Sequence, residues 1–94
     1  MEQIKGKTFS NQDVPLDGHH YEGCTFQSCT FVYAGVDSFG LDDNTISTDC
    51  CFRFTGKAAN TVSTMRAIYS MGEWGRRHVL ATFQEIAPDI KNLH

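Results

Sequence analysis

Leu16, Tyr21, Phe26, Phe31, Val36, Leu41 and Ile46 stand at strict intervals of five. A helix repeats its faces every 3.6 residues and a strand every two, so neither produces this beat. It fits short β-segments wound into a coil, each side of which sends one large apolar residue into a narrow interior. The clearest passage reads Cys24-Thr25-Phe26-Gln27-Ser28, Cys29-Thr30-Phe31-Val32-Tyr33, Ala34-Gly35-Val36-Asp37-Ser38. Because side chains alternate along an extended backbone, the small first position and the large third position share the inside. Thr25 and Thr30, at the second position, then face solvent. The pattern continues through Phe39-Gly40-Leu41 and Asn44-Thr45-Ile46, and one extra residue near Asp49 shifts its phase to Cys50-Cys51-Phe52-Arg53-Phe54, where a bulge or corner is expected.

A longer recurrence reinforces this reading. Cys29-Thr30-Phe31-Val32-Tyr33-Ala34-Gly35 returns as Cys50-Cys51-Phe52-Arg53-Phe54-Thr55-Gly56, as stacked turns about 4.8 Å apart would require. Cys29 is then expected on Cys50, Phe31 on Phe52 and Tyr33 on Phe54. Over residues 14 to 56 the chain resembles the pentapeptide-repeat proteins, and that resemblance implies a mainly β fold: a right-handed, quadrilateral parallel β-helix of about two coils. Leu16-Asp17-Gly18, Cys24-Thr25-Phe26, Cys29-Thr30-Phe31-Val32-Tyr33 and Gly56-Lys57-Ala58-Ala59-Asn60-Thr61 also resemble small uncharacterised bacterial proteins, some carried on mobile integron gene cassettes, in which α-helices follow such a coil. An antiparallel meander would also place Cys24/Phe26, Phe31/Tyr33 and Phe52/Phe54 correctly, but it does not require a steady interval of five.

After Gly56 the period changes. Asn60 is suited to cap a helix that presents Val62, Met65, Ile68 and Tyr69 on one face up to Gly72. A second helix is expected from near Gly75, with Val79, Leu80, Phe83, Ile86 and Ala87 along one stripe, ending around Pro88. Residues 89 to 94 are expected to fray. About two coils leave both end turns with unpaired backbone groups, so a cap or a second copy must cover them. The expectation is a single domain, β-helix over about 1–56 and helical cap or interface over about 57–94, that forms a homo-oligomer, most simply a dimer. Met65, Ile68, Tyr69, Trp74, Val79 and Phe83 are its candidate interface.

With 40% hydrophobic and 20% charged residues, the composition is that of an ordinary globular chain. The opening residues contain no signal-like apolar run and no stretch is long enough to span a bilayer, so a cytoplasmic protein with no membrane partner is expected. The four cysteines then read as reduced, with Cys24, Cys29 and Cys50 turned inward and Cys51 outward. Residues 1–56 carry three Lys or Arg against eight Asp or Glu, and residues 57–94 carry five against three. Such a split suits contacts between copies, and no basic tract points to a nucleic-acid partner.

Few residues suggest chemistry. Cys24, Cys29, Cys50 and Cys51 with His19 and His20 are zinc-ligand types, but no Cys-x2-Cys spacing occurs, and no metal or other cofactor is expected. Cys51 paired with a histidine lacks a surrounding catalytic motif. His19 and His20 beside Gly18 read as corner residues facing water. Asp42 and Asp43, with Asp37 and Asp49 nearby, are explained by corner chemistry more simply than as a cation site. Arg76 and Arg77, with His78, open a helix and form a candidate anion contact, although pairing with the acidic coil of a neighbour suits them better. Trp74 reads as a core or interface anchor. The function expected is thus that of a non-enzymatic structural or protein-interaction module that self-associates. The resemblance supplies one alternative, a DNA mimic that binds a DNA-processing protein such as gyrase. A small-molecule-binding protein or small enzyme is another.

Overall fold

A computed structural model describes residues 1–88 of the chain, and the expected fraying of 89–94 lies outside them. The chain divides into two compact units, residues 1–59 and residues 60 onward.

The first unit is a parallel β-solenoid. Its strands are β1 (Glu2–Lys5), β2 (Thr8–Ser10), β3 (Asp13–Pro15), β4 (His19–Glu22), β5 (Thr25–Gln27), β6 (Thr30–Tyr33), β7 (Gly40–Asp42), β8 (Thr45–Ile46) and β9 (Cys51–Phe54). They stack into three sheets, β1-β4-β7, β2-β5-β8 and β3-β6-β9, with every pairing among them parallel. A hairpin meander would have made these pairings antiparallel.

The solenoid has about three turns rather than the two expected. Ile4, Phe9 and Val14 do keep the interval of five, and they lie beneath Tyr21, Phe26 and Phe31. Leu16 follows Val14 by only two residues, however, and this phase break separates the first turn from the run that begins at Leu16. The second-to-third offset is twenty residues at Phe26↔Ile46 and twenty-one at Phe31↔Phe52. The inserted residue therefore falls between Ile46 and Cys51, where the slip near Asp49 is expected, and Tyr33 pairs with Phe54 as the recurrence requires.

Corners stack as well as strands. Gly6, Gly23 and Asp43 occupy successive positions at one corner with φ of 64°, 63° and 54°, and Asn11 and Ser28 repeat the conformation at another with φ of 52° and 53°. The left-handed backbone tolerates Gly, and Asn or Asp, better than other residues, which explains the corner sequence around Asp43. Next to it, Asn44 accepts a hydrogen bond from the Cys24 amide (2.8 Å) and donates one to the Tyr21 carbonyl (3.1 Å), tying the third turn to the second.

Val14, Leu16, Tyr21, Cys24, Phe26, Cys29 and Phe31 form the buried core. Phe26 lies at its centre, stacked on Phe9 (5.2 Å between ring centroids) and met edge-on by Tyr21 (5.5 Å) and Phe31 (4.9 Å). The Tyr21 hydroxyl donates to the Pro15 carbonyl (2.7 Å), so the core contains a satisfied polar group. Cys24 and Cys29 are small core residues whose thiols reach the carbonyls of Ile4 and Gln27. Val36 departs from the expected inward set, being 72% exposed. Its segment forms no strand because the Asp17 carboxylate draws in the amides of Ala34, Val36 and Asp37, which turns the Val36 side chain outward.

Helix α1 (Gly56–Tyr69) follows β9 directly, and α2 spans Glu73–Ile86. Asn60 is not the cap of α1. The Thr55 carbonyl accepts from the Ala59 amide (3.1 Å), so the helix opens one turn earlier, where Gly56 turns the chain with φ 52°. Helix α2 likewise opens at Glu73 rather than near Gly75. Gly75 is buried, and a Cβ there would lie 1.7 Å from the Ile68 carbonyl oxygen. Only glycine permits this approach of the two helices.

Candidate functional site

The third turn of the solenoid has strand neighbours on one side only. Strands β7, β8 and β9 are all outer strands of their sheets, and each leaves one row of backbone donors and acceptors without a strand partner. Side chains along the same column change burial accordingly. Phe26 and Phe31 are completely enclosed in the second turn, whereas Ile46 and Phe52, directly above them, are 45% and 53% exposed. Phe54 is 49% exposed and stacks with Phe52 at 6.4 Å. Ile46, Phe52 and Phe54 thus hold interior positions of the column at about half exposure.

The second unit also carries exposed large hydrophobic side chains. Tyr69, Met71, Trp74, Phe83 and Ile86 are exposed, Met65 and Ile68 are half-buried, and Val79 is buried. Of the residues named as candidate interface, Tyr69, Trp74 and Phe83 thus offer the most surface. The Trp74 and His78 rings lie 4.4 Å apart. Arg76 sits over the Tyr69 ring at 5.5 Å and Arg77 pairs with Glu73 at 3.5 Å, so both candidate anion contacts already have partners within the unit. Both arginines line a depression with Glu73 and Leu80.

His19 and His20 do not occupy an open corner. They lie on β4 with β1 paired to it, and their side chains are only about a quarter exposed or less. His19 Nδ1 meets the Asp17 carbonyl (2.9 Å) and its Nε2 meets Glu2 (3.1 Å). His20 Nδ1 meets Gln3 (2.6 Å) and its Nε2 meets Asp42 (2.5 Å), so one ring links all three turns. The ring leans over Gly40, where a Cβ would come within 2.5 Å of it. Glu2 and Gln3 are hidden as partners in the sequence because β1 belongs to the turn that the phase break obscures.

Asp49 organises the slip between β8 and β9. Ser28 and Ser47 both donate hydroxyl hydrogen bonds to it, Ser47 at 2.5 Å. These donors hold its carboxyl below the ordinary carboxylate value, against the opposing effect of desolvation. The Asp17 carboxyl is lowered too, by the Ala34 amide first, against desolvation, with the Val36 and Asp37 amides adding to it. Both carboxylates thus serve as anchors for irregular backbone. Among the described residues, no group of three or more His, Cys, Asp or Glu is placed to hold a metal ion, and no helix is long and apolar enough to cross a membrane. No protein-family model, curated protein or solved structure matches the chain.

Proposed function

We propose that this protein is a non-enzymatic structural and protein-interaction module that self-associates, most simply as a homodimer, and that its solenoid is of the pentapeptide-repeat kind. The observation that carries the proposal is the open third turn, where Ile46, Phe52 and Phe54 are exposed beside unpaired edges of all three sheets. Removing such a surface from water is favourable at roughly 25 cal/mol per Å² of apolar area. A second copy also supplies outer strands of the same three sheets. Tyr69, Met71, Trp74 and Phe83 give the second unit exposed apolar side chains of its own.

The polar clusters support a structural role. His20, Asp17, Asn44 and Asp49 all direct their hydrogen bonds across turns or into irregular backbone. We place the protein in the cytoplasm, where its four free cysteines remain mostly reduced. Its partners are then itself and a further protein, with neither nucleic acid nor membrane involved.

Sedimentation of an Ile46→Glu/Phe52→Glu variant tests the assignment of the surface. The substitutions are expected to convert an associated protein into a folded monomer with unchanged far-ultraviolet circular dichroism. An unchanged association state in that variant would exclude the open turn as the contact.

A further inference from the structure

We propose that Cys50 and Cys29 form a peroxide-responsive thiol pair that cross-links the second and third turns of the solenoid. The two residues immediately precede the register pair Thr30↔Cys51, whose strands are joined there by the Cys51 amide donating to the Cys29 carbonyl (3.1 Å). Neighbouring strands place such residues about 4.8 Å apart, within the Cα separation of about 4.4 to 6.8 Å that a disulfide spans. Cys29 Sγ lies 3.4 Å from the Gln27 carbonyl and Cys50 Sγ lies 3.6 Å from that of Phe26, the preceding residue.

The two thiols differ in the way a reactive and a resolving cysteine must. Cys29 is fully buried, whereas Cys50 is half-buried. Cys50 Sγ receives the Cys29 amide at 3.4 Å and lies 3.4 Å from the Ser47 hydroxyl. With its proton given to Asp49, the Ser47 hydroxyl is left to accept from the Cys50 thiol, while the Cys29 amide donates to the sulfur and favours the thiolate. A larger thiolate fraction speeds attack on an electrophile.

Stacking also makes the pair specific. Cys24 has Asn44, not a thiol, in the turn above it. Cys51 is exposed on the outer face, with its sulfur against the Thr30 hydroxyl at 3.5 Å.

With hydrogen peroxide as oxidant, the Cys50 thiolate attacks one peroxide oxygen. An S–O bond forms as the O–O bond breaks, and the departing hydroxide takes a proton and leaves as water. The sulfur is oxidised to sulfenic acid by two electrons while peroxide is reduced. The Cys29 sulfur then attacks the Cys50 sulfur, forming S–S and breaking S–O. The hydroxyl leaves as a second water with the Cys29 proton, and a thiol reductant reverses the link.

The test treats the full-length Cys51→Ser protein with stoichiometric peroxide and blocks residual thiols under denaturing conditions before peptide mapping by mass spectrometry. The expected product has lost the mass of two hydrogens, carries a Cys29–Cys50 link and leaves Cys24 alkylated. The same treatment in urea should lose this selectivity, since it depends on the stack. Adding Cys29→Ser should stop the reaction at a dimedone-trappable sulfenic acid on Cys50. Recovery of Cys29 and Cys50 both as free thiols, or the same spread of products with and without urea, would overturn the proposal.

Discussion

Asp17 gathers three amides from the loop that closes the second turn, and Asp49 gathers two hydroxyls at the β8–β9 slip. Each favours its ionised form in the fold, so its folded titration point lies below the unfolded one. The stabilisation is therefore complete above the unfolded value, about 3.9, and is lost as pH falls through the folded value. Thermal unfolding is expected at progressively lower temperature below pH 4. Asp17→Ala should lower the melting temperature at pH 7 and flatten that acid dependence, whereas a parallel acid slope in the variant would remove Asp17 from the account. The aromatic column offers a second contrast. Phe31→Ala should cost about 3 to 5 kcal/mol by emptying a buried site, whereas Phe52→Ala, at a half-exposed site, should cost about 1 kcal/mol in dilute monomer. Urea unfolding of the two variants measures the difference, and equal losses would contradict the one-sided burial of the third turn.

At the scale of elements, the outcome depended on whether neighbouring residues kept one period. Tyr21, Phe26 and Phe31 revealed the core because five-residue spacing and strand alternation both sent them inward. The stacking of Phe31 on Phe52 followed from the recurrence at twenty-one residues. Ile4 and Phe9 carried the same spacing, but the two-residue step from Val14 to Leu16 masked their turn, and with it Glu2 and Gln3 as partners of His19 and His20. Val36 kept the interval while leaving the core, because hydrogen bonds to Asp17 outweighed the burial of one valine side chain. The Thr55 start of α1 was concealed by Asn60, a good capping residue placed one turn too late. Gly75 reads in sequence only as a helix start, since the close approach of two helices that it permits is a tertiary fact. Gly75→Ala should force the Ile68 turn away and destabilise the helical unit by about 1 to 3 kcal/mol. Loss of helical circular dichroism at lower temperature is the expected reading, and an unaltered melt would show that the helices do not need this contact.

For the whole molecule, three turns bury one layer well and leave the next half-covered. The second turn is paired above and below, so its aromatic residues are enclosed. The third has the same residue types with one strand neighbour, and its apolar column is about half exposed. Charge patterning adds an acidic solenoid sequence and a basic helical sequence, whose mutual attraction between copies would weaken with salt, whereas apolar burial would not. Solution mass by light scattering, on reduced protein at low and high salt, separates these contributions and tests self-association directly. A dimer or larger species that persists at high salt is the predicted result. A monomer under both conditions, at concentrations well above micromolar, would contradict it.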